Sequence, residues 1–261
     1  MSQERLRTIV RGTLGLLLAA AAYEATARSG IFPKALLPVL PKVAGTLLDM
    51  LADGSMLRHA AATLSRMLAG FALAVAVGLP LGILMGRRPR MEGFFLPLVS
   101  ALMPIPSLAW VPVFILWFGL GDTVAVLVVC YAALFPMVLN AWSGVRSVNR
   151  LWLRAAGAMG ANEAALFWKV MLPGAAPFLI SGLRQAFQRS WIAVVGAEMI
   201  TSSDWGLGWV IYDAKEFLNA DVMLASLAVI GAIGFGFERL VFGSLERVTV
   251  LRWGMVRRAG G

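Results

Sequence analysis

The chain has 261 residues, 59% of them hydrophobic and 14% charged, with a mean hydropathy of +0.79. A soluble domain carries about 25% charged and about 45–50% apolar residues, so this composition excludes an ordinary soluble fold and suits a helical bundle in lipid. The formal net charge of +9 does not mark a nucleic-acid binder, because the arginines sit in short clusters between apolar runs, where they fix membrane orientation.

A membrane helix needs about 20 mainly apolar residues, and the sequence predicts six such spans. The first, Ile9 to Ala27, contains Arg11 and Glu24. A rival reading makes it a cleaved signal, since Arg5, Arg7 and Arg11 precede the apolar run and Ala25-Thr26-Ala27 resembles a cleavage site. Residues 29–59 form an outer segment with Pro33, Pro38 and Pro41, followed by a short helix. The second span, Met67 to Gly86, places Gly70, Ala74, Gly78, Gly82 and Gly86 at intervals of four. This is either a face for close helix approach or the ordinary glycine content of membrane helices. Pro80 is expected to bend this span locally. His59 and Arg66 flank its start and read as interfacial anchors.

The third span, Gly93 to Gly121, is broken by Pro104, Pro106 and Pro112. Proline removes backbone hydrogen bonds that lipid cannot replace. Met103 to Val113 therefore lines an internal passage or is a kinked packing helix. The fourth span, Thr123 to Val145, holds the single cysteine, Cys130, as a small packing residue, so no internal disulfide exists. Arg146 to Pro177 is long for a loop and reads as helical from Leu151 to Met171, with a break at Pro173 before the next helix. The fifth span, Val170 to Ile200, carries Arg184, Arg189 and Glu198; the sixth runs from Val222 to about Leu245.

With the amino terminus in the cytoplasm, fourteen of the 23 basic residues fall inside, among them Arg87, Arg88, Arg90, Arg146, Arg150, Arg154, Lys169, Arg247, Arg252, Arg257 and Arg258. Five fall outside and four within helices. The sequence thus predicts a multi-pass membrane protein with both termini cytoplasmic. Its expected parts are residues 1–58, a helix and outer segment; 59–245, a core of five spans with the loop 146–173; and a tail, 246–261.

Charges inside a membrane face protein or water. Arg184, Gln188, Trp191 and Glu198 fall on one face of the fifth span, either as a polar stripe along a passage or with Arg184 paired to a neighbouring helix. Asn140 and Ser143 on the fourth span are similar candidates, as are Pro104 and Pro106. No GxxxxGK[ST] phosphate loop is present, so the chain supplies no ATPase. One histidine and one cysteine make no metal site, no catalytic pair is apparent, and no cofactor is called for. An ion-gradient-driven secondary transporter is an alternative, with Glu24 and Glu198 as its candidate carboxylates and no repeat to support it.

The segment RAAGAMGANEAALFWKVMLP, Arg154 to Pro173, resembles the signature of permease subunits of bacterial ABC importers. Ala155, Ala156, Gly160, Val170, Leu172 and Pro173 occupy matching positions, Ala161 follows the glycine, and Arg154 stands where the family has Glu. TLSRMLAGF, GLPLGILMG, PIPSLAWVPVFILWFGLGD, GLGWVI and VLRWGM resemble the nitrate, sulfonate, taurine and bicarbonate branch. The resemblance implies an all-α type I importer fold with a coupling helix near Leu153 to Leu166. It also implies two ATPase subunits, a periplasmic binding protein and a second permease copy, in a homodimer.

Overall fold

The structure is a computed structural model and describes residues 3–201 and 204–244, with side chains from Arg11 onward. The tail 246–261, with Arg247, Arg252, Arg257, Arg258 and VLRWGM, and the side chains of Arg5 and Arg7 lie outside the described residues. Every element among the described residues is helical.

Helix α1 (Gln3–Arg28) leads to α2 (Leu40–Ala52) and then to α3 (Ser55–Arg87). α1 is largely exposed and is anchored at its carboxy-terminal end. Tyr23 donates to the Pro38 carbonyl at 2.8 Å and the Leu40 amide donates to Glu24 at 2.8 Å. Glu24 thus sits at the start of α2, where a free amide and the helix dipole favour a carboxylate.

The core is a three-helix seam of α3, α6 (Asp122–Ser147) and α9 (Leu172–Glu198). The small-residue face of α3 is what lets α6 come close. A Cβ on Gly70 would stand 2.6 Å from the Val126 carbonyl, one on Gly82 2.6 Å from Ala141 Cβ, and one on Gly86 2.6 Å from Val145 Cβ. Ala74 is fully buried between them. In lipid, where no hydrophobic force drives helices together, such contact supplies the attraction. Gly144 and Gly182 do the same between α6 and α9, against Phe178 and Asn140.

The third predicted span is broken as its prolines require. α4 (Pro89–Leu102) and the turn Ser107–Trp110 with α5 (Val111–Phe118) meet at a bend of 87°. The Leu102 carbonyl would bond the amide of residue 106 in a continuous helix, but Pro106 has none. The Ile105 amide at 3.1 Å and the Tyr131 hydroxyl at 2.6 Å bond that carbonyl instead.

Short α7 (Arg150–Ala158) and α8 (Glu163–Ala165) follow α6, and α10 (Leu207–Glu216) and α11 (Ala220–Gly236) follow α9. Four helices among the described residues are long and apolar enough to cross a membrane, or five if the bent pair is one span. The expected count of six is not confirmed, since α1 is not among these.

Two expectations for the loop are corrected. It is not helical throughout from Leu151 to Met171, because the chain turns at Met159–Asn162. Nor does the helix break at Pro173: α8, a π-turn at Leu166–Met171 and α9 run on as one 36-residue helix, Glu163–Glu198. Within the wide turn the Leu172 amide reaches back to the Phe167 carbonyl. The hydrogen-bond ladder is being reset there, so the missing amide of Pro173, in the first turn of α9, interrupts nothing.

Candidate functional site

The first candidate region is the loop. Asn149 caps α7 by accepting from the Leu151 amide, and Asn162 caps α8 by accepting from the Ala165 amide, both at 2.8 Å. Between them Gly160 adopts φ +84°. Its amide bonds the Gly157 carbonyl and the Ala161 amide bonds the Ala156 carbonyl, each at 3.0 Å. This pair of bonds is a Schellman ending, whose left-handed position favours glycine. Gly160 is therefore what turns α7 back over the π-turn. A cleft of about 460 Å³ results, lined by Trp152, Ala155, Ala156, Met159, Lys169 and Pro173 among others.

The arrangement brings Ala155 and Ala156 to Pro173, while Leu172 lies half-buried beside it. Arg154 and Gly160 are exposed and Ala161 is half-buried. Leu151, Trp152 and Met159 project, with Met159 83% exposed. Large apolar side chains clustered on an exposed loop mark a surface that another protein covers. The loop is also tied to the membrane helices. Arg87, at the end of α3, lies 3.6 Å from Glu163 and stacks over Phe167 at 5.2 Å. Arg146, at the end of α6, pairs with Glu92 of α4.

At the opposite end of the bundle is a buried polar cluster. Glu198, fully buried, accepts from Arg66 at 2.7 Å, Thr63 at 2.9 Å and the Gly208 amide at 3.0 Å. Arg66 also reaches Asp122 at 2.7 Å and the Trp205 carbonyl at 2.6 Å. Thr63 accepts from the Leu207 amide and His59 from the Gly206 amide, and the His59 ring lies against Trp205 and Trp209. A Cβ on Gly206 would meet the Glu198 carboxylate at 2.6 Å. His59 and Arg66 are thus buried partners, not interfacial anchors. Arg66 tolerates burial because carboxylates of α9 and α6 neutralise it.

The remaining passage candidates fall in different places. Arg184 pairs with Glu238, in the π-turn Phe237–Phe242 beyond α11, and Gln188 donates to the same carboxylate at 3.3 Å. Trp191 is buried against Gly234. Asn140 bonds the Pro136 carbonyl in the α6–α9 seam, and Ser143 is half-buried one turn on. Pro104 and Pro106 line a cavity of about 350 Å³ beside α6 and α9.

Residues 78–246 match the family described as binding-protein-dependent transport system inner membrane component. The chain belongs to that family. This permease is similar to the taurine transport system permease protein TauC of Escherichia coli K12, 38% identical over 88% of this chain and 85% of the relative. It is similar to the putative aliphatic sulfonates transport permease protein SsuC of Bacillus subtilis 168, 31% identical over 92% and 87%. Its fold matches a chain of the MetNI methionine ABC transporter in an inward-facing conformation with a TM-score of 0.65 at 20% identity, over 74% of this permease and 95% of that chain. The permease therefore has the all-α type I importer fold, in which the loop and the helices it is tied to form one connected body.

Proposed function

We propose that this permease is the membrane subunit of an ATP-driven importer for a small sulfonate-like anion. In this reading two copies form the passage, two separate ATPase subunits dock on the loop 146–173, and a periplasmic binding protein delivers the solute. ATP hydrolysis belongs to the partner. Residues 59–245 are the permease core, and with α1 as a further crossing both termini lie in the cytoplasm. The similarity to TauC along nearly the whole of both chains carries the solute class.

The loop gives the docking reading its physical basis. Arg154, Ala155, Ala156, Gly160, Ala161, Leu172 and Pro173 are its coupling residues, with small side chains that allow a groove of the ATPase to close on α7. The links Arg87–Glu163 and Arg146–Glu92 would carry a displacement of the loop into α3, α6 and α4. This is one two-state element biased from both sides of the membrane.

The test is co-expression with the ATPase and uptake of labelled taurine. Gly160→Trp would force a bulky residue into a left-handed position, at a backbone cost of roughly 1–2 kcal/mol, on a surface where a Cβ meets nothing within 4 Å. The monomer should therefore fold, while the ATPase no longer co-purifies and uptake ceases. An intact complex with unchanged uptake would remove the docking role.

A further inference from the structure

Among the charges buried in or bracketing the α9 region, Arg66, Glu198, Arg184 and Glu238 are paired. Arg189 is different. It lies on α9 nine residues before Glu198, about 14 Å along the axis at the rise of an α-helix, and so away from both polar ends. Its side chain is exposed, and among the described residues no hydrogen bond or ion pair holds it. It lines the 350 Å³ cavity, together with Pro104, Pro106 and Leu108 from the broken span and Tyr131 from α6.

A charge at this depth is costly against lipid and is retained where it faces water or a ligand. The same wall contains the interrupted backbone at residues 103–107, which lipid cannot solvate either. Two independent features therefore exclude lipid from one cavity. We infer that Arg189 is the residue that recognises the oxyanion head of the transported solute within the membrane.

The inference rests on the importer reading above and names the recognising group. A guanidinium offers a planar fork of donors that fits two oxygens of a sulfonate, nitrate or bicarbonate at once. Leu108, Phe135, Ile192 and Ala193 are among the apolar residues that line the cavity, suited to a short alkyl stem. The cavity is at the small end of the range for ligand sites, which fits an anion of a few heavy atoms. Arg184 is a poorer candidate because Glu238 already neutralises it.

The experiment uses the assembled complex of permease, ATPase and binding protein in proteoliposomes, with labelled taurine, ethanesulfonate, nitrate and bicarbonate as probes. Arg189→Gln should lower uptake of the transported anion by about tenfold to a hundredfold, the worth of a charge-assisted hydrogen bond. Assembly and binding-protein-stimulated ATP hydrolysis should persist. Arg189→Lys, which keeps the charge and loses the fork, should fall between. Uptake by Arg189→Gln equal to wild type overturns the inference. Loss of assembly and hydrolysis together with uptake in both variants also overturns it, as the residue is then structural. If Arg189→Gln alone fails to assemble, Arg189→Lys decides, with undiminished uptake overturning and reduced uptake supporting. A wild-type complex that moves none of these anions removes the solute reading and the inference with it, whereas wild-type uptake that Arg189→Gln leaves unchanged removes the inference alone.

Discussion

Arg66 shows how much of this molecule is decided by single side chains. Its guanidinium joins α3 to α9 through Glu198 and to α6 through Asp122, and it holds the Trp205 carbonyl of the segment before α10. Taking one partner from a buried ion pair leaves the other uncompensated, at a cost of about 3–5 kcal/mol. Arg66→Met should therefore lower the thermal unfolding temperature of the detergent-solubilised protein sharply, as should Glu198→Leu. Asp122→Asn should shift it far less, since that carboxylate is 67% exposed. The double variant Arg66→Met/Glu198→Leu should recover part of the loss, because no lone charge remains. A double variant whose shift equals the sum of the singles would mean the pair is not coupled. The sequence marks Glu198 as a charge near the outer end that gates or pairs, but it does not show that Arg66 is its partner. Arg66 and Glu198 are 132 residues apart, and a basic residue at the start of an apolar run carries no mark of its partner. The GLG of residues 206–208 belongs to the family-like GLGWVI, and nothing in it marks that backbone closes over Glu198 there.

At the scale of elements the sequence was more informative, because helix contacts in lipid depend on residue size, and size is written in the sequence. The four-residue spacing of small residues on α3 left close packing and ordinary glycine content in balance. The structure resolves this in favour of packing, with α6 backbone lying where the missing side chains would be. Gly82→Leu should force α3 and α6 apart, and overpacking of this kind costs about 1–3 kcal/mol. Gly93, whose Cβ would meet nothing within 4 Å, is the internal comparison. Gly93→Leu should leave the elution profile and unfolding temperature of the purified protein near wild type, while Gly82→Leu broadens the one and lowers the other. The bend at Pro104 and Pro106 was legible for the same reason, since proline's missing amide is a property of the residue itself. Pro173 misled because its effect depends on the turn before it. A π-turn has no sequence signature as plain as a proline, so a break was expected where the helix runs on.

The whole molecule is polarised along its axis. One end holds the loop 146–173, the Arg87–Glu163 contact and the Arg146–Glu92 pair. The other holds Glu198, Asp122, the Lys42–Asp221 contact at 3.5 Å and α10. In the proposed orientation the first end faces the cytoplasm, as positive-inside asymmetry favours and as coupling to an ATPase would require, since ATP is available only there. Both arguments stand or fall on one measurement. Ala161, half-buried after the Schellman turn, is replaced by cysteine in a Cys130→Ala background, and Asn219, between α10 and α11, is replaced in a second chain. In intact cells a thiol reagent that cannot cross membranes should label the Asn219→Cys chain and leave Ala161→Cys untouched. In inverted membrane vesicles the pattern should reverse. Labelling of Ala161→Cys from outside would put the loop on the wrong side for any nucleotide-driven partner, and the link from Glu163 and Phe167 through Arg87 to α3 would then have nothing to transmit.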